Sequence, residues 1–226
     1  MSLTFHSLDA ALSPSPVPAD LGALPEWRLA HLYEDMDSPR FAADLERAER
    51  DAKLFAEAFR GKLAELAERP DAGETLAAAV KAYESLQDLT GRIMAYASLL
   101  YASDTSDPGN AKFHADAQER VTALAGDVLF FELELNRIDD AKLNAAMAVP
   151  ALGHYRPWLE DIRKEKPHQL ADDLERLFLD KSVSAAAAWN RLFDDTMAAL
   201  RFDFDGESLT LEPLLGKLQD PDAKNR

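Results

Sequence analysis

The stretch from Leu86 to Asp107 repeats apolar residues at steps of three and four along the chain. The residues on this stripe are Leu86, Leu89, Ile93, Tyr96 and Leu100, and their spacing places them on one face of a helix. Further apolar residues widen the face beyond a coiled-coil seam, which is typical of a helix inside a packed bundle. The proline after Asp107 ends this helix, because the residue before a proline is disfavoured in the α region.

The pattern predicts two long helices, one over about residues 73–104 and one over about 108–138. The apolar stripe of the second helix consists of Phe113, Ala117, Val121, Leu124, Val128, Phe131, Leu135 and Ile138. Residues 128–135 also fit a strand, but they continue a helical stripe without a breaker, which favours a helix. Two long helices joined by a short loop pack antiparallel, so the sequence predicts a helical hairpin as the core.

Shorter helices are predicted on both sides of this hairpin. One begins at Ser38-Pro39 and ends at Gly61, and the others cover about residues 62–68, 140–147, 151–165, 171–181 and 184–200. Asp71 and Glu74 fit a capping box at the start of the first long helix. Residues 1–24 are rich in Ser, Pro and Ala, which predicts a flexible leader before a helical region over residues 25–226.

The period of the pattern changes from helical to alternating near the end of the chain. Phe202, Phe204, Leu209 and Leu211 alternate with polar residues around Asp205-Gly206, which predicts a β-hairpin, and a helical turn follows over 213–218. The predicted fold class is therefore mostly all-α: a multi-helix bundle with a long antiparallel helical hairpin and one small β-hairpin. The last residues, QDPDAKNR, read as a helix start, so we expect a chain that continues beyond Arg226.

Composition narrows the partners and the compartment. Lys and Arg total 25 against 41 Asp and Glu, so the net charge is -16, which disfavours nucleic acid and anionic membranes as partners. There is no cysteine, so disulfides, thiol nucleophiles and thiolate metal sites are excluded. The sequence shows neither a signal peptide nor an apolar run of membrane-spanning length. We therefore expect a cytoplasmic protein.

Two patterns are compatible with metal binding but fit a structural role better. Glu165 and His168 have the Glu-x-x-His spacing of carboxylate-bridged di-iron bundles, but Pro167 interrupts the turn and no second copy exists. The segment from Asp203 to Glu212 resembles a calcium loop, but Arg201 occupies the first ligand position, where an oxygen is required. We expect no metal site in this span.

The remaining polar candidates also favour structural roles. The acidic pairs Asp172-Asp173 and Asp194-Asp195 suit a helix start and a solvated helix face. Isolated histidines such as His114 and His154, and the His31–Glu34 pair, are more typical of surface or packing positions. No His-Glu-x-x-His, phosphate-binding glycine loop or Gly-x-Ser-x-Gly elbow occurs. The residues alone therefore predict no catalytic site, and substrate-binding residues stay unknown.

A series of short motifs resembles the N-terminal portion of oligoendopeptidase F-type zinc metallopeptidases, in the thimet-like peptidase family M3. In chain order the motifs are Trp27, Leu29 and Leu32-Tyr33; Phe59-x-Gly61-Lys62-Leu63; Tyr83-Glu84 and Leu86; Ala95-Tyr96-Ala97-Ser98-Leu99 with Asp104-Thr105; Phe130-Phe131-Glu132-Leu133-Glu134; Tyr155, Leu159, Arg163 and Lys166-Pro167-His168-x-Leu170; and Ala188-Trp189-x-x-Leu192-Phe193. Ala171 departs from the pattern, which tends to place a capping serine there. The number and order of the motifs carry the resemblance.

The resemblance implies the N-terminal, channel-wall region of an α-helical enzyme that cleaves short peptides in a closed channel. In this family two histidines of His-Glu-x-x-His and a later glutamate bind zinc, and the glutamate of the motif activates water. Those residues lie beyond Arg226 in the family's order, so no catalytic or zinc residue is assigned to this span. The implied partners are oligopeptide substrates, through the full-length enzyme, and a missing C-terminal catalytic domain.

The alternative function is a stand-alone acidic helical binding or adaptor module without catalytic activity. The two interpretations differ in one structural expectation. A stand-alone module leaves no apolar face open, whereas a portion of a larger enzyme exposes an apolar surface where the missing domain docks.

Overall fold

A computed structural model describes residues 27–220 of the chain, so the predicted leader over residues 1–24 and the last six residues lie outside the described part. The helices are α1 (Pro39–Phe59), α2 (Leu63–Leu66), α3 (Ala72–Ser103), α4 (Pro108–Val128), α5 (Phe130–Arg137), α6 (Asp140–Ala146), α7 (Pro150–Gly153), α8 (Arg156–Ile162), α9 (Asp172–Ser182), α10 (Ala186–Ala199) and α11 (Leu211–Lys217). Short 3₁₀ helices cover Leu29–His31 and Arg163–His168, and the strands are β1 (Phe202–Phe204) and β2 (Glu207–Leu209). The mostly all-α fold class is confirmed.

Helix α3 is the centre of the bundle and packs against α1, α4, α6 and α7. Its predicted stripe is buried at Leu86, Leu89, Ile93 and Tyr96. Asp107 caps the start of α4, because its carboxylate accepts hydrogen bonds from the backbone N–H groups of Gly109 and Asn110. A four-residue connection therefore turns the chain from α3 into α4, and the predicted antiparallel helical hairpin is confirmed.

Two aromatic groups fill the space between these helices. In the first, Tyr33 contacts Phe41 and Tyr96 edge to face, with ring centroids 5.1 and 5.3 Å apart. In the second, the ring centroid of Phe131 lies 4.9 Å from the ring centroids of both Phe55 and Tyr83. Such geometries add to the stabilisation from apolar burial, since the positive edge of one ring meets the negative face of another. These aromatic contacts thus tie α1, α3 and α5 together.

The helix predicted over 108–138 is divided at Leu129 into α4 and α5. Arg176 donates through Nη1 to the Gly126 carbonyl at 2.8 Å, and Arg60 donates through Nη2 to the Asp127 carbonyl at 2.6 Å. The last carbonyls of α4 thus receive hydrogen bonds from two arginines distant in sequence. A Cβ on residue 126 would lie 2.8 Å from the Arg176 guanidinium carbon, so glycine allows this contact.

The single helix predicted over 151–165 is also wrong, because the chain forms α7, α8 and a 3₁₀ helix there. Pro157 stands in the first turn of α8, where its missing N–H is tolerated, and cannot continue a helix from α7. Two predicted caps are wrong as well. Ser38 makes no capping hydrogen bond, and the Asp71 carboxylate accepts from Arg69 rather than from the start of α3.

Residues 29–199 form one compact unit, which contains α1 to α10 and both 3₁₀ helices. Residues 200–220 lie in a second compact unit, which contains the β-hairpin and α11. Phe202 pairs with Leu209 and Phe204 with Glu207, and Asp205 and Gly206 take φ values of 51° and 83°. These positive angles suit the two-residue turn that Asp-Gly predicts. Leu211, expected in the alternating segment, instead begins α11.

Candidate functional site

Exposed apolar side chains concentrate on α9 and α10. We name Leu174, Leu177 and Phe178 on α9 and Trp189, Leu192 and Phe193 on α10 the apolar triplets. Their exposed fractions are 43%, 50% and 64% on α9, and 70%, 53% and 63% on α10. Both triplets have i, i+3, i+4 spacing, so each occupies one face of its helix. Neither helix contains a fully buried residue.

Polar contacts hold α9 and α10 on the rest of the unit. Arg137 donates to the Asp172 carboxylate at the start of α9, and this hydrogen bond lowers the pKa of Asp172. Tyr101 donates its hydroxyl proton to Asp195 Oδ1 of α10 at 3.3 Å. Arg176 holds α9 against α4 through the Gly126 carbonyl. Both helices are thus anchored by polar contacts, while the apolar triplets remain exposed at the surface.

A cleft of about 470 Å³ lies between α5, the 3₁₀ helix that precedes α9, and α9 itself. We name it the acceptor cleft, and its lining residues are Leu129, Glu132, Leu133, Asn136, Ile162, Glu165, His168, Gln169, Leu170, Glu175 and Phe178. The lining contains three carboxylates and no lysine or arginine. Phe178 belongs to both the cleft and the α9 triplet, so the two features adjoin.

Two amide oxygens of these lining residues have no hydrogen-bond partner in the part of the chain that the structure describes. Asn136 donates through Nδ2 to the Ile162 carbonyl at 3.2 Å, and Gln169 donates through Nε2 to the Leu133 carbonyl at 3.2 Å. Asn136 Oδ1 and Gln169 Oε1 are both buried and without a partner among residues 27–220. A buried acceptor without a donor costs roughly 1–3 kcal/mol. The wall of the cleft therefore contains two unused hydrogen-bond acceptors, which neighbouring atoms cover.

The carboxylates of the acceptor cleft differ in how they are engaged. Glu132 accepts a hydrogen bond of 2.9 Å from the Tyr83 hydroxyl, and burial raises the pKa of Tyr83. Glu175 Oε1 accepts from the Leu170 backbone N–H at 2.8 Å. Glu165 is exposed and makes no hydrogen bond or ion pair with any residue of the described chain. Glu165 is thus the carboxylate available to a ligand.

The structure places Glu165 and His168 together in the acceptor cleft. Both are exposed, and within residues 27–220 no group of three or more His, Asp or Glu side chains is placed to hold a metal ion. Pro167 lies inside a 3₁₀ helix, so the α-helical turn that di-iron ligands need is missing. The neighbouring Lys166 points instead to Asp140, at 3.5 Å.

The other candidates have structural surroundings. Asp203 and Asp205 belong to the β-hairpin, and Asp172 pairs with Arg137. His114 stacks on Tyr101 with ring centroids 5.2 Å apart, and burial, with the nearby Arg191 charge, lowers its pKa. His154, His31 and Glu34 are exposed, whereas Asp195 accepts from Tyr101. None of these residues lines the acceptor cleft.

Sequence reasoning missed Asn136 and Gln169. Asn136 interrupts the apolar stripe between Leu135 and Ile138, and Gln169 falls at the unassigned position of the Lys-Pro-His-x-Leu motif. An amide between apolar residues signals burial at most. The orientation of each amide is set by a distant carbonyl, Ile162 for Asn136 and Leu133 for Gln169, which accepts from the amide nitrogen. The sequence around each amide does not show this contact.

The described fold is that of a mostly helical region, and comparison with known proteins relates it to a peptidase family. The family model described as oligopeptidase F matches residues 134–202. The crystal structure of oligoendopeptidase-F from Enterococcus faecium has a similar fold, with a TM-score of 0.67 and 21% sequence identity. The resemblance to the N-terminal portion of oligoendopeptidase F is therefore confirmed.

The structural match covers 82% of this chain and 37% of the Enterococcus faecium enzyme. The chain thus spans little more than a third of that enzyme's length. No curated protein matches the sequence. In the described part of the chain, no helix combines the length and apolar character needed to cross a bilayer.

Proposed function

We propose that this chain is the N-terminal, channel-wall region of a zinc-dependent oligoendopeptidase that hydrolyses peptide bonds in short peptides. The observation that carries the proposal is the position of the apolar triplets. Both lie inside residues 134–202, the segment that matches the oligopeptidase F model. In this proposal the remaining portion of the enzyme docks on the triplets.

The size of the structural relative supports this choice of partner. The match leaves most of the Enterococcus faecium enzyme without a counterpart in this chain, since it covers only 37% of that enzyme. Complete burial of a Leu or Phe side chain contributes roughly 1.5–3 kcal/mol. Six side chains that are between 43% and 70% exposed therefore provide a substantial apolar contribution to docking. A stand-alone adaptor module, the alternative, is expected to lack such open apolar faces.

In this proposal, zinc is bound by the remaining portion of the enzyme and not by this chain. The described residues of this chain do not fit a zinc site, because no three suitable side chains are grouped among residues 27–220. We expect the purified 226-residue chain neither to bind zinc tightly nor to cleave peptides. Zinc-dependent turnover by this chain alone would contradict the proposal. A cytoplasmic location is part of the same proposal and is supported by the lack of cysteine.

The direct test is to read the coding sequence beyond Arg226 and to express the longer protein that it encodes. We expect a His-Glu-x-x-His segment there and zinc-dependent hydrolysis of short peptides. A stop codon directly after Arg226, with no such segment downstream in any frame, would overturn the proposal.

A pair of variants tests the docking surface in the longer protein. Leu192→Glu places a charge in the α10 triplet, where Leu192 is 53% exposed, and we expect lower peptidase activity because docking is disturbed. Leu54→Glu is the matched control, since Leu54 is 61% exposed on α1. Equal activity of the two variants would show that the α10 triplet is not a docking surface.

A further inference from the structure

The acceptor cleft has the chemistry to bind a cationic group that donates several hydrogen bonds. Asn136 is 5% exposed, and its Oδ1 has no partner among residues 27–220. Gln169 Oε1 is unpaired in the same described region, and Glu165 adds a carboxylate without an ion pair. Asn136 belongs to α5, Glu165 to the 3₁₀ helix and Gln169 to the segment after it, so the lining of one cleft combines acceptor residues from separate elements.

The lining also selects among possible cations. A bare metal ion is disfavoured, because the described residues contain no group of three His, Asp or Glu side chains suited to one. Leu133 and Ile162 add apolar surface, which suits an aliphatic stem. A guanidinium offers five N–H donors in a planar fork and is less strongly hydrated than an ammonium group. The net charge of -16 also attracts a cation.

We propose that the acceptor cleft binds the side chain of an arginine residue. Its guanidinium donates to Asn136 Oδ1 and Gln169 Oε1 and pairs with Glu165, while its methylene stem packs on Leu133 and Ile162. Both amide oxygens are covered by neighbouring atoms, so binding includes movement of the cleft wall. Leu170 and Phe178 are 44% and 64% exposed, and exposed side chains change rotamer rapidly.

This inference does not rest on the proposed function, because binding is measured on the 226-residue chain without peptide cleavage. The probe is N-acetyl-arginine amide, titrated into the isotope-labelled chain and followed by amide chemical shifts. We expect saturable shifts that centre on residues 133–136 and 162–170. N-acetyl-citrulline amide has nearly the same shape without the charge. We expect its affinity to be at least about tenfold lower than that of the arginine probe. Equal shifts with both probes, or none with arginine, would overturn the inference.

Two variants and a matched control test the acceptors Asn136 and Glu165. Asn136→Leu removes the buried oxygen, and we expect about tenfold weaker binding. Glu165→Gln alters an exposed side chain, so it retains the fold, and we expect binding weakened about threefold. Glu46→Gln is the matched control, since Glu46 is exposed on α1 and does not line the cleft. If Glu165→Gln binds the probe as tightly as Glu46→Gln, the assignment of Glu165 is wrong whatever the stability of Asn136→Leu.

The arginine belongs either to a separate peptide or to another portion of a longer chain. The peptide acetyl-Ala-Ala-Arg-Ala-Ala-amide distinguishes these sources. Clearly tighter binding of this peptide than of the single amino-acid amide supports a peptide ligand, because flanking backbone then adds contacts. Equal binding supports a side chain presented by a folded partner. N-acetyl-lysine amide serves as the third probe, and tighter binding of lysine than of arginine would refute the choice of guanidinium.

Discussion

Arg163 joins the end of α5 to the start of α6, and its removal tests how the acceptor cleft is supported. Its guanidinium donates to the Leu135 carbonyl at 3.0 Å and to the Ile138 carbonyl at 2.8 Å, and it also pairs with Asp140. The Arg163 side chain is only 15% exposed. The same residue begins the 3₁₀ helix that carries Glu165 and His168. Arg163 therefore links the order of that helix to the packing of α5.

We expect Arg163→Ala to lower the free energy of unfolding by about 3–4 kcal/mol. A hydrogen bond from a charged donor contributes roughly 1.5–3 kcal/mol, and two carbonyls lose such a donor. The pair with Asp140 adds little, because an exposed carboxylate is screened by water. The two hydrogen bonds are counted near the low end of their range, since water replaces part of the loss. Such a change is a large fraction of the roughly 5–15 kcal/mol typical of a domain.

The assay is urea denaturation followed by circular dichroism, with the midpoint and the slope m compared between variants. Arg137→Ala is the matched control, because Arg137 pairs with the exposed Asp172 and its side chain is 47% exposed. We expect the control to lose less than about 1 kcal/mol. A loss for Arg163→Ala within about 1 kcal/mol of the control would refute the contribution assigned to the hydrogen bonds that Arg163 donates to the two carbonyls.

Three further outcomes follow from the surroundings of single side chains. Burial and the Arg191 charge lower the pKa of His114 below 6.5, so below that pH the unfolded chain binds more protons than the folded chain. The free energy of unfolding therefore falls as the pH drops through about 6.5. We expect His114→Gln to remove this fall, measured by urea denaturation above and below that pH. Burial and the hydrogen bond to Asp44 raise the pKa of Tyr33 to about 12. The free energy of unfolding should therefore fall from pH 10 upwards in the parent chain and fall less in Tyr33→Phe. An equal decrease of the unfolding free energy with pH in both proteins would contradict this. Phe193→Glu removes exposed apolar surface and should reduce the fluorescence of a bound hydrophobic dye, with no change expected in Leu54→Glu because that leucine lies outside the triplets.

The helical hairpin and the β-hairpin were predictable because their determinants are local. The stripe of α3 follows the helical period, and Asp107-Pro108 supplies a cap and a first-turn proline to α4. Asp205 and Gly206 take the positive φ angles that a two-residue hairpin turn requires. Each of these signals lies within a few residues of the element that it determines.

The division of the second long helix and the acceptor cleft were not predictable from local pattern. Arg60 and Arg176 reach the last carbonyls of α4 across 67 and 50 residues of chain, and no helical period records such contacts. The sequence pattern also does not predict that the apolar triplets are exposed. Amphipathic spacing indicates that a helix face is apolar, but it does not indicate whether another element covers that face.

The sequence by itself determined the long helical hairpin, the β-hairpin and a family resemblance, because periodicity, turn residues and short motifs are local features of the chain. The tertiary structure alone decided which acceptors remain unpaired. Asn136 Oδ1 and Gln169 Oε1 have no donor among residues 27–220, while the carbonyls of Ile162 and Leu133 hold their amide nitrogens in place. Hydrogen-bond satisfaction depends on the positions of groups distant in sequence, so only the packed chain shows which buried acceptors are left without a donor.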